Sequence, residues 1–173
     1  PSAIQGWLTQ QGLEEARGWQ KFSRGIEPAN SRPTLLEVRE AGPADGEEFG
    51  RIVCSAFDMG AAAEPWLARL PGRDRWHIFM SFEGGKAAGA GAMFVQNGLG
   101  WLDYAATSPE FRRRGSQGAV LAARIQRARE LGCHKIYTCT GEAVPGDAQH
   151  SYHNILKSGF RTEDIRSNFA PSR

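Results

Sequence analysis

The spacing of apolar positions along the chain changes from a helical to an extended period near residue 75. From residue 45 onward, one apolar face recurs at helical spacing and predicts a helix. Its members are Phe49, Ile52, Val53, Ala56 and Phe57. Asp45 precedes this face and Glu48 follows three residues later, which predicts a capping box at the helix start. A second helix is predicted from Glu64-Pro65, because proline suits the first helical turn.

Three extended segments follow the two helices, and turn signals separate them. The first, residues 76–82, ends at Gly84-Gly85, and the second, residues 88–95, ends at Asn97-Gly98. The third covers residues 101–107. Because glycine pairs and Asn-Gly favour tight hairpin turns, the three segments predict an antiparallel meander.

A crossover of helix and strand is predicted after the meander. The helix, residues 118–131, is expected to place its arginines towards solvent and to face the core with Val120, Leu121, Ile125 and Ala128. A strand at 135–140, a short helix at 152–158 and a last strand near Phe169 complete the chain. Together with a short strand at 35–38, these elements predict an α/β (α+β) fold, a mixed and mainly antiparallel sheet flanked by helices.

The first 32 residues are predicted to form a helix–strand extension, and residues 33–173 the main domain. Residues 4–24 contain a helix that ends at Gly12 and then a strand, and a proline-containing linker follows at 27–33. Gly12-Leu13 and Phe22 align without gaps on Gly159-Phe160 and Phe169. Either chance or a degenerate repeat explains this match. In the second case the segment is expected to dock beside the main sheet.

Composition and charge exclude several classes of protein. The chain has 173 residues, 40% of them hydrophobic and 23% charged, with a net charge of +2. These values argue against disorder, a membrane protein and a nucleic-acid-binding module. Three cysteines without CxxC spacing predict neither disulfides nor zinc, and favour a cytoplasmic protein. The chain starts without methionine, so we expect it to begin inside a longer protein or to follow processing.

Glycine is abundant, with 21 residues, and most of these glycines mark turns or helix ends. Gly89 and Gly91 instead lie inside a predicted strand, where a missing side chain indicates that another element packs close. Gly115 and Gly118 lie where a strand gives way to a helix, directly after three successive arginines at 112–114. The first N–H groups of a helix and its dipole favour anions, so this loop predicts a phosphate site. The alternative is a solvated basic turn.

The loop also resembles that of a known family. The residues Arg112-x-x-Gly115-x-Gln117-Gly118-Ala119 resemble the acetyl-CoA pyrophosphate loop of the GNAT superfamily of N-acetyltransferases, Gln/Arg-x-x-Gly-x-Gly/Ala. The order of elements from residue 34 to 169 is similar as well. Two positions depart from the pattern. Gln117 replaces a small residue, and Ile155 stands where the family usually has a tyrosine acid, with Tyr152 one turn earlier.

The resemblance implies acetyl-CoA as the cofactor and direct attack by a primary amine of a small molecule or peptide. It implies that the cofactor is bound by Ala105, Ala106, Thr107, Arg112, Arg113, Arg114, Gly115, Ser116, Gln117, Gly118, Ala119 and Asn154. The amine must lose a proton, and Asp103 is the candidate base, although it is equally suited to a structural ion pair. Tyr152 or His150 is the candidate acid, and Asn154 is alternatively a capping or solvent-facing amide.

The acceptor is expected between the first two helices and the meander, near Phe57, Trp66 and Trp76, which are alternatively core residues. His150 and His153 lie three residues apart without an evident third ligand, so no metal is predicted. A homodimer is compatible with this class of protein. Two other functions stay open: a CoA-binding sensor without turnover, which Ile155 favours, and a nucleic-acid module that rests only on the arginines.

Overall fold

The computed structural model describes residues 2–30 and 33–171. The strands are β1 (Leu13–Arg24), β2 (Glu37–Glu40), β3 (Trp76–Glu83), β4 (Lys86–Gln96), β5 (Leu99–Thr107), β6 (Lys135–Gly141) and β7 (Arg161–Pro171). They form one sheet in the order β2-β3-β4-β5-β6-β1-β7. The helices are α1 (Ser2–Gln10), α2 (Gly46–Phe57), α3 (Glu64–Leu67), α4 (Ser116–Glu130) and α5 (His150–Lys157). Only the β5–β6 pair is parallel among these strands, so the predicted mixed, mainly antiparallel fold and its meander are confirmed.

A separate hydrophobic core covers each face of the sheet. On the α2 face, Phe49 and Val53 of α2 pack in one cluster with Ala92 of β4. On the α4 face, Ile125 of α4 packs in a second cluster with Met93 of β4. Since successive side chains of a strand point to opposite faces, these two clusters tell which side of the sheet each later residue occupies.

The N-terminal strand β1 lies inside the sheet, between β6 and β7, and not beside it as predicted. Phe22 near its C-terminal end is fully buried and pairs in register with Thr138 of β6 and Thr162 of β7. Arg24 is buried too, and donates a hydrogen bond to the carbonyl of Ser158 after α5. Residues 13–24 therefore belong physically to the main sheet. The boundary at residue 32 lies outside the described residues, and the repeat hypothesis stays a prediction.

Four local predictions need correction. The capping box is wrong, because Asp45 pairs with Arg39 and accepts a hydrogen bond from the Gly42 N–H at 2.9 Å. Glu48 meanwhile pairs with Arg51. The second helix is only one turn long, the 35–38 strand lies two residues later, and α4 begins two residues earlier than predicted.

A bulge and a divergence of strands open the sheet at the C-terminal part of β5. Parallel pairing with β6 covers Leu99–Trp101 and then stops. On the other side, Ala92 pairs with Asp103 and Ala90 with Ala106, so two residues of β5 oppose one of β4. One of the two is Tyr104, in the left-handed region with φ 51°, a conformation that costs a non-glycine residue about 1–2 kcal/mol.

Candidate active site

The loop from β5 to α4 turns sharply, and the core fixes its first half. The Ser108 N–H bonds to the Ala88 carbonyl, and the ring of Phe111 is buried. The chain then passes through left-handed conformations at Arg113 (φ 65°) and Gly115 (φ 90°), the second of which glycine adopts without strain. After these turns α4 begins beside the end of β5, where Ser116 contacts Thr107.

The first turn of α4 is open to a ligand. Its N-cap is Gly115, and no side chain caps the helix within the described part of the chain. The first N–H groups of a helix lack an intrahelical acceptor, so those of Ser116, Gln117 and Gly118 need an external partner. A Cβ atom added at Gly118 would meet nothing within 4 Å. An uncapped N-terminus of a 15-residue helix, with free space over it, suits a phosphate group.

The three arginines before the helix differ in their contacts. Arg112 and Arg113 are exposed, and neither forms an ion pair with another described residue. Arg114 pairs with Glu83, and the hydrogen bond to this carboxylate raises the pKa of its guanidinium. The first two arginines are therefore better placed to donate to an anionic ligand than the third.

The hydroxyl of Ser116 anchors the helix start to the sheet. Its Oγ lies 2.7 Å from the Oγ of Ser81 and 3.4 Å from that of Thr107, in a buried cluster. A Cβ at Gly89 would lie 2.3 Å from this oxygen, which explains the glycine inside β4. The predicted close packing at Gly89 is confirmed. Ser116 can therefore reach a cofactor only through its backbone N–H, since its side chain points inward.

The predicted phosphate-binding loop and α5 contact each other through the side chains of Gln117 and Asn154. The Asn154 amide donates a 2.7 Å hydrogen bond to Oε1 of Gln117. Gln117, which departs from the family pattern, thus links the first turn of α4 to α5. Asn154 faces the loop and is not a solvent-facing amide.

We expect the Gln117–Asn154 bond to couple the two residues energetically. Gln117→Ala and Asn154→Ala should each destabilise the protein by about 1 kcal/mol, and the double variant by clearly less than their sum. Urea denaturation of the four proteins measures the coupling. Strictly additive losses would show that the bond contributes nothing, and Gln126→Ala on the exposed side of α4 serves as a matched control.

Asp103 lies on the α2 face, because it pairs directly with Ala92. Its Oδ1 accepts the Tyr104 N–H at 2.8 Å, and its Oδ2 accepts the indole N–H of Trp101 at 3.1 Å. No lysine or arginine among the described residues forms an ion pair with the Asp103 carboxylate. The alternative role in a structural ion pair is therefore not supported within those residues. Two neutral donors hold the carboxylate in place at the start of the bulge.

Tyr152 lies on the other face. Its ring packs edge-on against Phe22, with centroids 5.2 Å apart, in the cluster between α4 and the sheet. Ile155 is buried in the same cluster. Asp103 and Tyr152 are thus on opposite sides of the sheet, and the gap between β5 and β6 separates them. Their roles as base and acid stay predictions.

Tyr104 is a site residue that the sequence did not indicate. Its ring centroid lies 6.2 Å from that of Trp66 and 6.4 Å from that of Trp76. Burial raises the pKa of its hydroxyl, and the charge of Asp103 adds to the effect. Trp66 and Phe57 are about half exposed, so the interpretation as core residues is wrong for both. The aromatic cluster lines the α2 face next to the bulge.

Arg124 was predicted to face solvent, but the structure buries it. The residue is 2% exposed, and burial lowers the pKa of its guanidinium to about 10. It packs against Gly91, where an added Cβ would lie 2.7 Å from Cζ. Gly91 inside β4 predicted that another element packs close to this strand. That prediction is confirmed, and the packed group is the Arg124 guanidinium.

Residues 2–30 and 33–171 contain no group of three His, Cys, Asp or Glu side chains placed to hold a metal ion. Within the same residues, no helix is long and apolar enough to cross a membrane. The three cysteines are free thiols.

The model of the Acetyltransferase (GNAT) family matches residues 48–156, more than half of the chain. The chain therefore belongs to the GNAT acetyltransferase family, and the predicted family resemblance is confirmed. Members of this family use acetyl-CoA. No curated protein matches the sequence.

Solved structures share the fold over nearly the whole chain. A GCN5-related N-acetyltransferase from Kribbella flavida is 13% identical with a TM-score of 0.72, over 99% of this chain and 64% of that one. One from Sphaerobacter thermophilus is 15% identical with a TM-score of 0.75, over 98% and 55%. The chain thus spans less than two thirds of either protein. AAC(6')-Iy in complex with the bisubstrate analogue CoA-S-monomethyl-acetylneamine is 20% identical, with a TM-score of 0.62 over 81% of this chain and 99% of that one.

Proposed function

We propose that this chain is an N-acetyltransferase that transfers an acetyl group from acetyl-CoA to a primary amine of a small molecule or peptide. The observation that carries the proposal is the uncapped first turn of α4 beside the bulge and the open end of β5. The free thiols fit a reducing compartment, and we place the protein in the cytoplasm.

The chain's residues fit the cofactor. The N–H groups of Ser116, Gln117 and Gly118, with Arg112 and Arg113, would hold its diphosphate. The gap between β5 and β6 would take the extended pantetheine arm, next to Asn154. When bound, acetyl-CoA supplies an activated acetyl thioester. Because β5 is unpaired on one side beyond Trp101, backbone N–H groups between Ala105 and Thr107 are available to polarise the thioester oxygen.

Removal of the amine proton is assigned to Asp103 on the α2 face. A bond forms between the amine nitrogen and the acetyl carbon while the carbon–sulfur bond breaks. The amine proton passes to the Asp103 carboxylate, and the thiolate takes a proton from Tyr152 or from water. An alkyl amine has a pKa of about 10.4, so a base is needed near neutral pH. A thiolate leaves readily, since the pKa of a thiol is about 8.5.

Asp103→Asn is expected to lower kcat by about 100-fold or more at pH 7. The amide oxygen still accepts a hydrogen bond, so acetyl-CoA affinity should stay within about twofold. The deficit should shrink as pH approaches about 10, where about a quarter of the amine is already neutral without a base. Steady-state kinetics between pH 6 and 10 measure this, with Asp74→Asn on the exposed surface as control. A pH-independent deficit would remove Asp103 as the base.

A CoA-binding sensor is the second candidate. The buried Ile155 and the Tyr152 ring packed on Phe22 favour it, because neither offers an evident acid at the usual place. A panel of amines, amino acids and peptides incubated with acetyl-CoA separates the two functions. Release of free CoA thiol together with an acetylated amine supports the enzyme. Binding of acetyl-CoA without product across the panel supports the sensor.

A further inference from the structure

The guanidinium of Arg124 is a buried cation with an unusual set of partners. Its Nη1 donates to the carbonyl of Ala92 at 2.9 Å and to that of Asp103 at 3.2 Å, and its Nε donates to the carbonyl of Val120 at 3.3 Å. No carboxylate among the described residues forms an ion pair with it. Removing a charge from water is costly, so a guanidinium held only by backbone carbonyls calls for an explanation beyond packing.

The two sheet carbonyls mark the start of the bulge. Ala92 and Asp103 are the last paired residues of β4 and β5 before two residues of β5 oppose Gly91. A bulge interrupts the hydrogen-bond ladder, and Arg124 supplies donors to both strands at this point. The missing side chain of Gly91 makes room for the guanidinium. One side chain of α4 thereby ties together the two strands and the helix that carries the phosphate-binding turn.

Arg124 also contacts Asp103, from the face of the sheet opposite to the Asp103 carboxylate. It binds the Asp103 carbonyl from the α4 face, while the Asp103 carboxylate on the α2 face accepts the Tyr104 N–H. Tyr104 in turn holds its left-handed conformation. A strained backbone persists only where its surroundings determine it, and Arg124 is the side chain that fixes the residue before it.

We propose that Arg124 is a positioning residue for acetyl transfer: it holds the β5 bulge so that the Asp103 carboxylate and the following N–H groups face the reacting atoms. The proposal rests on the proposed function, since the reacting atoms are those of the transfer. Arg124 itself touches neither cofactor nor acceptor, because it is enclosed between α4 and the sheet.

The test compares Arg124→Met with the wild type, since methionine keeps an unbranched stem and removes the donors. We expect kcat to fall about 100-fold, because a displacement of about 1 Å at a reacting centre costs this much. The KM for acetyl-CoA should change less than about threefold. The melting temperature should fall by several degrees without loss of the fold, because the carbonyls of Ala92 and Asp103 lose a donor while a buried charge is also removed. An unchanged kcat in the folded variant overturns the proposal.

Gly91→Ala is the second variant, and it serves if Arg124→Met does not fold. The new methyl group would displace the guanidinium from the two carbonyls, so kcat should fall in the same way. In an Asp103→Asn background, either substitution should lower kcat by a smaller factor than in the wild type, because part of its effect passes through the same carboxylate. Fully additive losses would contradict a role through Asp103.

Hydrogen exchange of the Tyr104 N–H gives a readout that needs no turnover. We expect it to exchange about tenfold faster or more in Arg124→Met, while amides in the middle of β3 keep their protection. Absence of acetylation by the wild type would defeat the proposed function and leave this readout intact. Unchanged exchange at Tyr104 overturns the positioning role by itself.

Discussion

Gly118→Glu is expected to weaken acetyl-CoA binding by about 100-fold without destabilising the free protein. The position is open, with nothing within 4 Å of an added Cβ, so the side chain does not disturb the fold. It places a carboxylate where the diphosphate would lie. Loss of one or two charge-assisted hydrogen bonds costs about 3 kcal/mol, which corresponds to about 100-fold in affinity.

The free Gly118→Glu protein should be slightly more stable than the wild type, although it binds acetyl-CoA more weakly. An acidic residue in the first turn of a helix favours the helix by about 0.3–1 kcal/mol, and replacing glycine adds to this. Gly118→Ala is the matched control, which should keep most of the affinity. Thermal melting with and without acetyl-CoA measures both effects. Equal ligand-induced shifts in the glutamate variant and the wild type would place the cofactor elsewhere.

Phe22→Ala is expected to destabilise the protein by about 3–5 kcal/mol, although the residue lies in the segment predicted as an extension. Phe22 is fully buried and contacts the cluster that includes Leu102, Ile125 and Ile136. Removing its ring leaves a cavity at the centre of the α4 face that the neighbouring strands β6 and β7 cannot fill. Denaturation in urea, followed by tryptophan fluorescence, measures the change.

Trp7→Ala in α1 is the control for this measurement. Trp7 is 58% exposed, so its removal should cost less than about 0.5 kcal/mol. A loss at Phe22 as small as at Trp7 would mean that β1 is not part of the cooperative core. That result would favour two independent units divided at residue 32.

The meander, the helix after the loop and the position of the loop itself were predictable from the sequence, because short-range patterns encode them. Residues 76–107 alternate between recognisable turns, and Gly115 ends a basic turn before an apolar helical face. The place of β1 was not predictable in this way. Its pairing with β6 and β7 joins residues more than a hundred positions apart, and no local pattern specifies such a register.

The site shows the same division between local and distant determinants. Helical spacing assigned Arg124 to solvent because arginine is rarely buried, and only Gly91 on another strand provides the space that reverses this. Asp45 fits a capping box by spacing, but Arg39 competes for its carboxylate from the neighbouring strand. The strained conformation of Tyr104 follows from the bulge, and a tyrosine at this position does not by itself indicate a positive φ.

The central claim is that this chain binds acetyl-CoA at the first turn of α4. Calorimetric titration of acetyl-CoA into the wild-type protein tests it most directly, with the Gly118→Glu variant in a parallel cell. We expect saturable binding of one molecule per chain, with a Kd between about 1 µM and 1 mM, and a greatly reduced heat for the variant. Absence of saturable binding to the wild type would contradict the claim.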